Sequence, residues 1–319
     1  MNLSDQPLFL SLTPVFLLIA LGYMAGHRRW VRESSVPDLS NLVFFVLVPA
    51  LLFRTMSSVR FEALDFRPVL AYFVASGALL LVSIAWRGLN RASVVLALAG
   101  MFSNMVMIGI TLVGLAYGQA GLVTMLTLVS VHALILLSAA TLILELVAAR
   151  ELHAAGGQTQ PVWRTVWSAA KSAVIHPVPL PIVCGLLYAQ TGWGLPMVID
   201  RSLQILGGAF GPMSLLLVGV TLAHTPFGGY VRTALWVVAS KNLVLPVMVG
   251  ACAWAFGITG LPLTVMVVAA ALPSGANVFL FAQRYGVAQA QTTAAMGLST
   301  AVSAITLSVV MALMAWING

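Results

Sequence analysis

Charge is what this sequence has least of. Asp, Glu, Lys and Arg make up 7% of its 319 residues, whereas a soluble domain carries charge at roughly a quarter of its positions. Hydrophobic residues make up 61%, and the mean hydropathy is +1.03. No soluble fold of this length could keep so much apolar surface from water, which leaves the bilayer as solvent. Cysteine is nearly absent too. Cys184 and Cys252 both fall in apolar runs, which fits free, buried thiols and excludes a disulfide scaffold.

Other absences remove whole classes of function. No cluster of His, Cys and acidic residues has metal-ligand spacing, and no glycine-rich loop follows a strand, so no cofactor is expected. No nucleophile and base lie at one depth, which argues against an enzyme. The net charge of +7 comes from Lys and Arg scattered through short loops. With no basic helix and no aromatic-interleaved patch, it is no nucleic-acid signal. No Asp or Glu falls in mid-membrane, since Glu145 and Asp200 sit near segment ends. That removes the carboxylate pair of a proton antiporter and favours a small acid over a cation as solute. Sodium or proton coupling stays open.

Apolar runs of about twenty residues are present throughout, the length that a spanning helix needs. They predict ten transmembrane helices, over 8–26, 39–56, 68–86, 92–117, 122–147, 174–189, 203–223, 235–256, 263–281 and 293–317. Runs this long exclude an outer-membrane barrel. Only Asp5 precedes the first run as a charge, and Arg28, Arg29 and Arg32 follow it, so it reads as a retained helix and not a leader. A polar stretch divides the chain into 1–149, a linker over 150–173 with an interfacial helix near 163–173, and 174–319. Tyr117-Gly118 closes the fourth run and Tyr285-Gly286 the ninth. Five helices per half would make the halves inverted repeats. With the N-terminus outside, Arg28, Arg29, Arg32, Arg87, Arg91, Arg150, Arg164, Lys171, Arg232 and Arg284 lie inside, against Arg54, Arg60, Arg67 and Arg201 outside. That balance predicts an inner-membrane protein with both termini periplasmic.

Two runs are interrupted at their centres. The fourth carries Ser103, Asn104 and Gly109, and the ninth carries Pro273, Ser274, Gly275 and Asn277. Pro273 removes an amide donor and Gly275 loosens the backbone, so two half-helices joined by unwound chain are expected. Freed backbone groups must then be satisfied inside the protein. Either they form a receptor for a carboxylate, helped by Ser103, Asn104, Ser274 and Asn277, or the breaks are packing kinks. Pro49 and Pro212 kink helices two and seven, and could shape walls beside the breaks. Lys241 stands inside helix eight, where it either attracts an anion or braces the unwound carbonyls of helix nine. His132 and His176 read as polar packing residues.

Five segments in order resemble the auxin efflux carrier family: Asn41 to Phe53 (NLVFFVLVPALLF), Phe102 to Thr111, Pro212-Met213-Ser214-Leu215 to Gly219, Lys241 to Pro246, and Pro273 to Asn277. The compact chain, without a long central loop, is most similar to the family's bacterial malonate-transporter-like branch. The resemblance implies an all-α membrane protein of two inverted five-helix repeats, with broken helices four and nine crossing. Its fold would be like that of sodium/proton antiporters or bile acid symporters. It implies alternating access for a small organic anion, with malonate or a related dicarboxylate as first candidate. A homodimer in the lipid bilayer, built on helices one, two, six and seven, is also implied. Export of weak monocarboxylic acids, or passive anion conduction, is the alternative. On this resemblance Asn104 and Asn277 contact the solute, and Ser103, Ser274 and Gly275 line the site. Thr111 stands where the family commonly has proline, so either the first crossover is less rigid or the Thr111 hydroxyl adds a polar contact, which makes it a further candidate for binding the solute.

Overall fold

In the computed structural model the protein is described over residues 7–60, 64–154, 178–225, 230–275 and 277–318. The described residues form helices α1 (Pro7–His27), α2 (Glu33–Met56), α3 (Arg67–Arg87) and α4 (Arg91–Ala99). A wide turn, Met105–Gly109, leads into α5 (Ile110–Ala154), two helical stretches joined at a kink where Gly118 leaves helical geometry (φ 60°, ψ −153°). Then come α6 (Pro179–Gln190), α7 (Met197–Ala223), α8 (Val231–Ala255), α9 (Gly260–Ala271), α10 (Asn277–Arg284) and α11 (Gln289–Asn318). The expected linker 150–173 lies largely outside the described residues, as does its interfacial helix.

The expectation of ten spanning helices in two inverted sets of five is corrected. Among the described residues six helices are long and apolar enough to cross a membrane: Glu33–Met56, Arg67–Arg87, Met105–His132, Met197–Ala223, Val231–Ala255 and Gln289–Ile317. Hydropathy measures how apolar a run is, not whether its helix is continuous. The run 92–117 is broken after Ala99, and 263–281 is broken after Ala271 into two short helices. Within α1 the stretch Leu12–His27 is apolar over a shorter length, as are Leu180–Gln190 and Gly260–Ala271. With six such helices, the division into two fives loses its basis.

Proline explains the local shape of α2 and α8. Pro49 and Pro246 offer no N–H and crowd the carbonyl four residues back. Each helix answers by widening one turn before the proline, over Val43–Leu47 and Ser240–Val244. There the N–H of Val48 reaches the Val43 carbonyl, and that of Leu245 reaches Ser240. These π turns let both helices run on without a break.

α1 packs backbone to backbone on α7. A Cβ on Gly22 would lie 2.0 Å from the Leu216 carbonyl oxygen, and one on Gly219 2.0 Å from that of Ile19. Gly22 and Gly26, four apart, thus meet Gly219 and Ala223, and backbone touches backbone. This is the small-residue packing that associates helices in lipid, where burial of apolar side chains gives no advantage. Large apolar side chains such as Leu17, Leu81, Val82 and Val247 face outward. Both cysteines are free; Cys184 is exposed on α6, and Cys252 on α8 is only half-buried. The expected burial fails there because an apolar run in a bilayer can face lipid as readily as core.

Ion pairs tie the helix ends. Arg54 grips Asp200 through two contacts of 2.8 and 3.2 Å, and Arg284 reaches Glu145 at 3.2 Å. Glu151 of α5 accepts from the Arg91 backbone N–H at 2.9 Å and from its guanidinium at 2.5 Å. Burial raises the Glu151 carboxyl, but these Arg91 contacts outweigh it and hold the group below the usual carboxylate range. Its stabilising effect is therefore complete above the ordinary glutamate value and fades as pH falls through the lowered one. The pair is a third exposed, so Glu151→Gln is expected to cost about 1 kcal/mol or less at neutral pH. Melting curves of the variant and the parent should converge once the pH has fallen past that lowered value.

Candidate functional site

Pro273 disfavours helical backbone at the residue before it. Leu272 accordingly turns to φ −57°, ψ 152°, and α9 stops at Ala271. The last carbonyls of α9 then lack the helical partners they would otherwise have. The chain resumes a helix at Asn277.

The other break forms without proline. α4 ends at Ala99 with Gly100 as its cap, and Asn104 adopts φ −76°, ψ 59°. These are the angles of an inverse γ-turn. The Met105 N–H closes it on the Ser103 carbonyl at 2.8 Å. The Asn104 side-chain oxygen then accepts from the Met107 N–H at 3.3 Å, capping the next turn.

The two unwound stretches cross each other. Ser103 and Ser274 form an isolated antiparallel bridge. The Asn104 N–H donates to the Pro273 carbonyl and the Gly275 N–H to the Phe102 carbonyl, both at 2.8 Å. The crossing is close: a Cβ on Gly275 would stand 3.2 Å from the Ser103 oxygen. Backbone groups that helix geometry abandons thus satisfy one another, as a membrane interior demands.

Side chains complete that satisfaction. Lys241 is fully buried; its Nζ donates to the carbonyls of Ala270 at 2.5 Å and Leu272 at 2.6 Å. Its neighbour Asn242 accepts from the Ser299 hydroxyl at 2.6 Å, and Ser299 Oγ accepts from the Ser274 N–H at 3.0 Å. Ser274 Oγ donates to the Ala99 carbonyl at 2.8 Å. Ser103 Oγ and the Tyr72 hydroxyl lie 2.9 Å apart. Ser214 reaches across from α7 to the Met107 carbonyl at 2.9 Å.

Beside the crossing lies a cavity of about 40 Å³. Ser103, Asn104, Gly275 and Asn277 border it, together with Phe44, Phe102 and His132. His132 is buried against the rings of Tyr72, Phe73 and Phe102, with centroids 5.6, 6.2 and 5.0 Å away. Its Nε2 has no hydrogen-bond partner. A buried polar atom left so costs about 1–3 kcal/mol, and such atoms call for an explanation.

Of the residues singled out from sequence, Ser103, Asn104, Gly275 and Asn277 thus meet at the cavity. Ser274, Pro273 and Lys241 hold the crossing from behind. Thr111 stands apart, half-buried beside Gly211, with its buried hydroxyl unpartnered. Pro49 and Pro212 do not border the cavity, although Phe44 of the widened turn before Pro49 does. The Lys241–Asn242 pair, Ser299 and Tyr72 were not all readable: Lys241 stood out by its charge, the others only by contact. His132 read as packing because one histidine in an apolar run carries no signal of what its ring faces. No group of three or more potential metal ligands occurs among the described residues.

A family model described as membrane transport protein matches residues 7–311. Among individual proteins, a "Putative malonate transporter" of Rhizobium meliloti (strain 1021) is 27% identical, over 92% of each chain. An "Uncharacterized transporter" of Methanothermobacter thermautotrophicus is 24% identical over 82% of this chain and 83% of its own. "Auxin efflux carrier component 8" of Arabidopsis thaliana is 22% identical over 88% of each.

Proposed function

Since the chain belongs to the membrane transport protein family, we propose that it is a secondary transporter whose cargo is a small organic anion, seated at the crossing of the two broken helices. Membership makes it a multi-pass membrane transporter and not an enzyme. The cargo reading rests on one observation above all. The unpartnered Nε2 of His132 borders the same small cavity as Asn104 and Asn277. An imidazole and two amides supply donors to a carboxylate without a fixed counter-charge. Malonate or a related dicarboxylate is the first candidate, supported by the name of the Rhizobium relative.

At about 40 Å³ the cavity has room for a water molecule or two. A three-carbon diacid exceeds that, so its entry requires the crossing to open. Obligatory rearrangement favours a carrier over a passive channel. The same cavity would take a weak monocarboxylic acid exported outward. A bacterial inner-membrane setting, periplasmic termini and a homodimer complete the reading.

Uptake of radiolabelled mono- and dicarboxylates into proteoliposomes tests it, with and without sodium or proton gradients. Saturable uptake that prefers a dicarboxylate is the expected result. Asn104→Ala and Asn277→Ala should each raise the apparent KM about tenfold, the worth of one hydrogen bond to a charged group. The amount of folded protein in the membrane should stay the same for Asn277→Ala. Uptake rising linearly with concentration would identify a channel. Normal KM in both variants would remove the crossing as the seat.

A further inference from the structure

A second basin lies where α3 ends and α8 begins, with a volume of about 340 Å³. Trp86, Arg87, Arg232, Thr233 and Trp236 line it. None of them borders the crossing. The two indole rings pack together, with centroids 4.4 Å apart and planes at 59°. The Arg87 guanidinium lies 5.8 Å from the centroid of the Trp86 ring. Trp86 is 63% exposed and Trp236 48%, so each offers an open face.

Among the described residues the charges here have no ion-pair partner. Arg54, Arg67, Arg91 and Arg284 each hold a carboxylate, but no ion pair among the described residues engages Arg87 or Arg232. α8 starts at Val231 without a side-chain cap, so its first N–H groups add partial positive charge beside Thr233. Two cations, a hydroxyl and a helix start converge on one basin. That set suits a phosphate group.

What lies next to the basin says which phosphate. On α3, Leu81 and Val82 are exposed one turn or so before the tryptophan; on α8, Val231 and Leu235 are exposed beside it. A charged rim therefore continues into an apolar outer wall across a pair of tryptophans. Tryptophan concentrates at the headgroup level of a bilayer, and juxtamembrane arginines attract anionic lipids. A free phosphate would use the rim and ignore the wall. A phospholipid would use both.

We propose that Arg87, Arg232 and the Trp86–Trp236 pair form a seat for the headgroup of an anionic phospholipid, whose acyl chains lie along the exposed faces of α3 and α8. The indoles support the glycerol region, and the guanidinium groups take the phosphate oxygens. The seat is separate from the cargo site and does not depend on what that site carries. It would fasten the α3 and α8 ends to one leaflet.

Native mass spectrometry of the full-length protein, released from vesicles of equal phosphatidylglycerol and phosphatidylcholine, tests this. The parent is expected to retain phosphatidylglycerol about tenfold in preference, a ratio that two surface arginines can sustain. The double variant Arg87→Gln/Arg232→Gln should bring the ratio close to one within the folded, monodisperse fraction. Arg201→Gln, which removes an exposed arginine elsewhere, should leave it unchanged. Millimolar inorganic phosphate should displace no lipid. Equal retention of the two lipids by the parent overturns the proposal. So does an unchanged preference in the double variant, or an equal loss with Arg201→Gln. Displacement by inorganic phosphate would assign the basin to the free ion and overturn the lipid seat.

Discussion

Lys241→Met is expected to destabilise the protein by roughly 3 kcal/mol, with a sharp fall in folded yield. The buried ammonium donates to two carbonyls that the break after α9 leaves without helical partners. Hydrogen bonds from a charged donor contribute about 1.5–3 kcal/mol each. Burying a methionine in place of an ammonium avoids the desolvation cost of the charge, which offsets part of the loss. No water is at hand in the bilayer core to take over the carbonyls. Lys241→Arg should rescue little, because a planar guanidinium cannot replace a compact ammonium in a fully buried place. Thermal unfolding in detergent, followed by circular dichroism, measures the effect. The fraction that survives should bind cargo with unchanged affinity. An unaltered melting curve with lost affinity would show instead that the ammonium attracts the anion.

Lys241 is a residue whose importance is visible in the sequence and whose role is not. A lysine amid apolar residues announces itself by the cost of its charge. Whether it faces an anion or a carbonyl depends on where a segment thirty residues away is placed. The break after α9 was readable for the opposite reason: Pro273 acts locally, through its missing N–H and its effect on Leu272. The break at Ser103–Asn104 has no such residue. It exists because the Asn104 and Gly275 amides find partners on the other strand, a tertiary cause with a weak local trace.

The difference between ten apolar runs and six long helices has a related origin. An apolar run is a statement about solvent, and both broken segments are as apolar as the intact ones. Continuity is decided by backbone geometry, which hydropathy does not carry. Pro49 and Pro246 show the converse, since a proline in mid-helix widened a turn and did not end the span. The α1–α7 contact was legible in principle from Gly22, Gly26, Gly219 and Ala223. Their spacing is meaningful only once the two helices are known to be neighbours.

His132→Phe is expected to separate stability from transport. Phenylalanine fits among Tyr72, Phe73 and Phe102 with little change of volume, and it removes the unpartnered Nε2. Relieving a buried unsatisfied atom should leave the melting temperature unchanged or raise it, by up to about 1 kcal/mol in stability. Transport should move the other way. Losing a donor to a carboxylate costs about 1.5–3 kcal/mol, so the apparent KM should rise about 10- to 100-fold. His132→Gln keeps a donor and should restore part of the affinity without the gain in stability. A residue that packs and does nothing more would lower stability when changed and leave KM alone. Opposite signs in the two measurements are what a ligand-facing group produces, because the folded protein bears a cost that only the cargo relieves. Normal uptake by His132→Phe would return the histidine to the core and leave the two asparagines as the cargo's polar contacts.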